Sequence, residues 1–174
     1  MGDDWLLDGA IKDEQSITSD WENVDQKLIE GVKTRSSRHV IKESGYLTEV
    51  FRSEWALDDR PVDQVFQVTM LPDQISAWHA HEQTLDRLFV SLGTVKLVLF
   101  DHRHHSPTRG LINEFKISYL RPTLVVIPPQ VWHGLQNIGN EPSQVLNLVD
   151  QAYQYSDPDH WRIPPDSPLV PYSW

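Results

Sequence analysis

From residue 40 onward the chain is written as short β-type runs separated by turn residues, a rhythm that admits little besides an all-β sandwich or barrel. The runs fall at 46–52, 63–70, 76–81, 87–92, 94–100, 113–119, 123–127, 131–136 and 144–150. Phe115, Ile117 and Tyr119 alternate with Lys116 and Ser118, as a strand with one buried face requires. Gly93 separates two runs as a tight turn, and Asn137 to Pro142 separates two more.

The two ends read differently. Residues 1–30 carry nine Asp or Glu against Lys12 and Lys27, with Trp5, Leu6, Leu7 and Trp21 as isolated apolar anchors. We expect an acidic N-terminal arm over 1–39, helical in part around Ser19 to Glu30, where Ser19 caps and Glu22 follows three residues later. The last 21 residues hold five of the twelve prolines together with Tyr155, Trp161, Tyr172 and Trp174, a segment expected to pack aromatics rather than build sheet.

A chain of 174 residues supports one domain, here over 40–174. A formal net charge of -10 repels a phosphate backbone, so no nucleic-acid partner is expected. No run is long and apolar enough to cross a bilayer, and the first residues lack a basic and then apolar leader, which makes the cytoplasm the default address. Without cysteine, any metal has to be held by imidazole, carboxylate or water.

His79 and His81 stand at i and i+2, which on a strand puts both imidazoles on one face, able to converge on one ligand. Four residues separate His81 from Asp86 and six more separate Asp86 from Gly93; the stretch Pro128 to Asn137 with His133 lies downstream. That order resembles the two-part cupin signature. The resemblance implies a double-stranded β-helix, or jelly-roll barrel, and His79, His81, Asp86 and His133 as its divalent-metal set. Asp86 stands where that signature usually has Glu, and its shorter side chain reaches about 1.5 Å less; Gln130 stands where it has Gly.

A narrower resemblance rests on Asp101 to Gly110, with Arg103, Ser106, Pro107 and Thr108, on Gly45-Tyr46-Leu47-Thr48-Glu49-Val50-Phe51, on Arg87-Leu88, and on Ile127-Pro128 with His133-Gly134. Over about residues 40–174 this is similar to the dTDP-4-dehydrorhamnose 3,5-epimerase family. The resemblance implies His79 as catalytic base, Arg87 in place of an active-site lysine, Glu49 in the nucleotide region, and Arg103, His133 and Tyr153 as further pocket positions. Ser76 replaces an arginine, Asn147 aligns with the tyrosine acid, and the chain stops before the aspartate that orients the base. His81 replaces a glutamine, and the His-Ala-His run is also similar to the sugar-nucleotide 3,4-ketoisomerases, where paired imidazoles move protons without metal.

These resemblances imply a nucleotide-sugar ligand, a homodimer, and proton abstraction by His79 beside a keto group with His81 or Asp86 as its partner. No cofactor is then required, and a divalent metal is the alternative. Imidazole, with an ordinary pKa near 6.5, suits such chemistry at neutral pH. Arg87 or Arg103 would hold diphosphate or an enolate oxygen. Trp132 and Tyr153 offer rings for stacking. His102, His104 and His105 are read as a solvated turn, while His39 and His160 are assigned no role. A competing reading is a metal-holding or catalytically idle cupin that binds a small carbohydrate.

Overall fold

The computed structural model describes residues 5–21, 24 and 26–174. Two antiparallel five-stranded sheets form the barrel. In chain order the strands are β1 (Lys33–Ser36), β2 (His39–Lys42), β3 (Gly45–Thr48), β4 (Gln64–Met70), β5 (Ile75–Ala80), β6 (Asp86–Leu92), β7 (Thr94–Phe100), β8 (Ile112–Ser118), β9 (Thr123–Ile127), β10 (Trp132–Asn137), β11 (Ser143–Val149) and β12 (Trp161–Arg162). One sheet runs β1-β9-β6-β11-β4 and the other β12-β5-β10-β7-β8, while β2 and β3 form a separate hairpin. The spacing of the runs predicts an all-β sandwich or barrel, and this is the jelly-roll barrel that the cupin resemblance implies.

Burial explains which runs became strands. Val95, Leu97 and Leu99 of β7 point between the sheets, where they join Leu88, Val90, Val125, Ile127 and Val145. The alternate residues Val98 and Phe100 are buried as well, because Trp78 and Val170 cover them, with Tyr172 and Trp174 packed alongside. A strand buried on both faces reads as one continuous apolar run, as Val95 to Phe100 does apart from Lys96. The C-terminal aromatics thus pack on the barrel itself, with the Trp174 ring 4.9 Å from that of Trp78. Gly134 makes room for them: a Cβ there would lie 2.6 Å from Trp174 Cζ2. Gly93 turns between β6 and β7 at φ 79°.

The helix expected around Ser19 to Glu30 is not formed. Ser19 to Trp21 lie in turn and bend, the proposed partner Glu22 lies outside the described residues, and the described helical residues are one 3₁₀ turn, Ser53–Trp55. Tertiary contacts take the backbone donors that a helix would use. Ile29 N–H donates to Asn113 Oδ1 at 2.8 Å and Glu30 N–H to Thr108 Oγ1 at 2.9 Å, while Ile29 and Val32 enter the core. Their burial is worth more than the few tenths to one kcal/mol of local capping. Trp5, Leu7 and Trp21, read as anchors, are instead exposed. The chain past Val32 forms β1, which pairs with β9, so the barrel sheet begins ahead of residue 40.

The loop after β7 clasps this incoming segment. Asp101, fully buried, accepts hydrogen bonds from Arg103 Nε (2.9 Å), Ser106 Oγ (2.5 Å) and Thr108 Oγ1 (2.7 Å), and Arg103 Nη2 reaches the Glu30 carbonyl at 2.8 Å. These donors outweigh the effect of burial and hold the Asp101 carboxyl far below the ordinary carboxylate range. Asp101→Asn leaves Arg103 without its charge partner. We expect it to lower the unfolding free energy by about 3 kcal/mol in urea titrations; a change under about 0.5 kcal/mol would contradict the clasp.

Candidate functional site

The polar end of the barrel is a cavity of about 370 Å³ lined from both sheets. Ser76, His79, His81, His133 and His160 come from one side, Asp86, Asn147, Gln64 and Phe66 from the other, above an apolar floor that includes Val68, Leu88, Leu135 and Val145. The pairing of β5 with β10 shifts register between His133↔His79 and Leu135↔Ser76. This irregularity brings Ser76 as well as His79 to the inner face, where strict alternation would place only one of them.

Each polar group has a defined partner. His79 Nε2 is 2.9 Å from Ser76 Oγ, and its Nδ1 is 2.9 Å from His160 Nε2. His81 Nδ1 donates to the Asp159 carbonyl at 2.5 Å, while its Nε2 lies 3.4 Å from Asp86 Oδ2. Asp86 Oδ1 accepts from Asn147 Nδ2 at 2.6 Å, and Asn147 Oδ1 in turn accepts the Arg87 N–H at 3.2 Å. His133 Nε2 is 3.8 Å from Asp86 Oδ2.

Burial sets the charges. It lowers the pKa of His79 to about 3, helped by the neighbouring imidazole of His133, and that of His133 to about 3, helped by His81. It pushes the Asp86 carboxyl above the ordinary range against the pull of His81. His160 is lowered by the same burial and by His81. The site therefore holds His79 and His133 as neutral imidazoles beside a carboxyl that resists ionisation.

Among the described residues, His81, Asp86 and His133 offer donor atoms within 4.8 Å of one another. A tetrahedral ion with bonds of about 2.0–2.1 Å needs donors about 3.3 Å apart, so the 3.4 and 3.8 Å separations to Asp86 suit one. The sequence reading is corrected in one respect. His79 stands outside this trio, its two ring nitrogens facing Ser76 and His160.

A probable low-salt glycan biosynthesis epimerase of Haloferax volcanii is 34% identical over 147 residues, covering 84% of this chain and 94% of that protein. The chain belongs to the RmlC-like, dTDP-4-dehydrorhamnose 3,5-epimerase family. A spore coat polysaccharide biosynthesis protein of Bacillus subtilis is 29% identical, with 84% of this chain and 97% of that one covered. A crystal structure of a dTDP sugar isomerase from Desulfovibrio desulfuricans superposes with a TM-score of 0.77 at 28% identity, covering 84% of this chain and 92% of the other. No family model matches.

Within this epimerase-family barrel, His79, His81, Asp86, His133, Asn147 and Tyr153 all reach the cavity. Four residues expected there do not. Arg87 is fully buried on the outer face of β6, its guanidinium bound by Asp58 and by the carbonyls of Arg60 and Leu148, because a strand turns Asp86 and Arg87 to opposite sides. Arg103 is taken by the Asp101 clasp. Trp132 packs toward the outer aromatic cluster and borders a shallow groove with His102, His104 and His105. Glu49 is exposed beyond β3 and pairs with Arg52 at 2.9 Å.

Sequence reasoning missed Asp159 and His160. They contact residues nearly eighty positions upstream, and the only local hint was an acidic residue and a histidine amid prolines. His39, also left without a role, ties the hairpin to the barrel: Nδ1 is 2.6 Å from Thr48 Oγ1 and Nε2 is 2.6 Å from the Tyr119 carbonyl.

The lowered imidazole pKa values link the site to stability. The unfolded chain binds protons on these histidines near pH 6.5, the folded protein only near 3, so the unfolded state holds more protons between those values. Stability contributed by keeping them neutral is present above pH 6.5 and is lost as pH falls toward 3. In His133→Gln, the pH dependence of unfolding free energy in this window should flatten by close to one proton, about 1.4 kcal/mol per pH unit at most. Urea titrations in EDTA from pH 3 to 8 test this, and identical slopes for the two proteins would contradict it.

Proposed function

We propose that this protein is a nucleotide-sugar epimerase or isomerase in which His79 removes a proton from the carbon beside the keto group of a dTDP-4-keto-6-deoxy sugar. The observation that carries this reading is a neutral imidazole, His79, held in a 370 Å³ cavity with Nε2 facing the Ser76 hydroxyl. The likeness to a glycan biosynthesis epimerase and to a dTDP sugar isomerase supports the substrate class.

In this scheme the C–H bond breaks, its proton goes to His79 Nε2, and the electron pair moves into the keto group to form an enolate. Asp86, whose carboxyl is pushed toward the protonated form by burial and which lies beside His81, is the internal proton source for the return step. Asn147, in place of the tyrosine acid, has no proton to give and instead fixes Asp86. Tyr153 at the rim offers its ring to the sugar or base. No metal is needed for these steps.

The spacing of His81, Asp86 and His133 favours a second reading, a metal-holding cupin that binds a carbohydrate. Incubation with dTDP-4-keto-6-deoxyglucose in D₂O separates the two. We expect deuterium at C3 or C5 by NMR, unchanged by EDTA, with the rate lowered ~10²- to 10⁴-fold in His79→Asn. No incorporation above the enzyme-free control sinks the epimerase reading, and stoichiometric metal in a protein that shows no exchange supports the second in its place.

We further propose a homodimer in which the β2–β3 hairpin reaches the neighbouring barrel and brings Glu49 to its cavity rim. Ile41 on that hairpin is 77% exposed, with Val40, Tyr46 and Leu47 also exposed, and β4 lies at an open sheet edge with Val65 exposed. Sedimentation equilibrium should return twice the 20.2 kDa chain mass. Ile41→Asp should shift the protein to monomer, and a wild-type mass of one chain would reject the dimer.

A further inference from the structure

The group that faces His79 Nδ1 is a second imidazole: His160 Nε2 lies 2.9 Å away, the two rings meeting edge-on at 78°. We infer that His160 is the positioning residue for His79, accepting its Nδ1–H and so leaving the Nε2 lone pair on the cavity side. This deepens the reading of His79 as base and rests on it.

The placement of His160 is built by the residue before it. The Asp159 carboxylate accepts from the backbone N–H of Glu82 (2.6 Å), Gln83 (2.9 Å) and Thr84 (2.9 Å) and from Thr84 Oγ1 (2.8 Å). These four bonds fasten the segment to the loop that follows His81. On the other side, β12 pairs with β5 through Trp161↔Ala80 and Arg162↔His79. His160 is therefore fixed at both flanks beside the strand that carries the base. The Asp159 carbonyl takes the N–H of His81 Nδ1 in the same way, so one dipeptide orients both members of the His-x-His pair.

A neutral imidazole has one N–H and one lone pair, and only the lone pair can take a proton from carbon. His79 faces Ser76 Oγ at Nε2, and a hydroxyl can either donate or accept, so Ser76 does not choose the tautomer. An acceptor at Nδ1 does, and His160 Nε2 takes that part in the tautomer that carries the His160 proton on its own Nδ1, away from His79. An orienting partner works in this way when its loss leaves the base in the wrong tautomer and the rate falls by orders of magnitude while binding survives.

Two variants test the assignment. His160→Leu removes the acceptor; His160→Gln keeps one at similar reach. Long-range ¹H–¹⁵N NMR of the substrate-free protein should show His79 protonated at Nδ1 in the wild type and in His160→Gln, with a substantial Nε2–H population in His160→Leu. With dTDP-4-keto-6-deoxyglucose in D₂O, kcat for exchange should fall ~10²-fold or more in His160→Leu with KM changed less than about threefold, and recover to within about tenfold of wild type in His160→Gln. A His160→Leu protein that keeps the wild-type tautomer or kcat, or a His160→Gln protein as impaired as the leucine variant in both readouts, overturns the inference. If the wild type shows no exchange at all, the proposed activity fails, and the tautomer spectra still decide the role of His160.

Discussion

Apolar packing between the two sheets, through Leu97 and Leu99 on one side and Leu88, Val125 and Val145 on the other, is what everything else hangs from. At about 25 cal/mol per Å² of apolar surface, this burial is the main force closing the barrel. It also isolates one end of the interior from water. Polar groups placed there lose hydration and must find partners within the protein, which is why Asp86, Asn147 and the imidazoles form a connected network rather than independent side chains.

That network decides charge as well as shape. Desolvation keeps His79 and His133 neutral, and the same desolvation opposes ionisation of Asp86, so one wall of the cavity offers lone pairs beside a carboxyl whose pKa is raised. Such an arrangement suits proton movement beside a carbonyl, in keeping with a family whose members include sugar epimerases. Direct binding of diphosphate by Arg87 or Arg103 is not part of this geometry, since both guanidinium groups are taken by Asp58 and Asp101.

Two segments from opposite ends of the chain finish the barrel. The N-terminal segment supplies Ile29, Val32 and β1 and is clasped by the Asp101 loop. The C-terminal segment covers Val98 and Phe100 with aromatic rings and, before them, delivers Asp159 and His160 to the cavity. Neither segment has a strong secondary-structure preference of its own, and both are held by partners far away in sequence.

The strands from Gln64 to Val149 were legible because alternation and turn residues are local properties, and a half-buried strand must show them. That His79 and His81 share a face was legible for the same reason, since parity along a strand fixes the face, while the inward direction of that face and the company of Asp86 and His133 came from the cupin resemblance. Parity was also available for Arg87, one residue after Asp86, and it points outward; family resemblance had suggested otherwise. The arm illustrates the converse case. A capping pattern at Ser19 favours a helix by little, while burial of Ile29 and Val32 and side-chain capture of their backbone favour an extended path by more. Sequence by itself determined the all-β class and the shared face of His79 and His81, because both follow from periodicity along single strands, and motif order added the resemblance to a histidine-lined barrel. Only the tertiary structure decided that His160 meets His79, that the metal-capable trio excludes His79, and that Arg103 serves a clasp, because each depends on contacts between segments whose meeting no local pattern encodes.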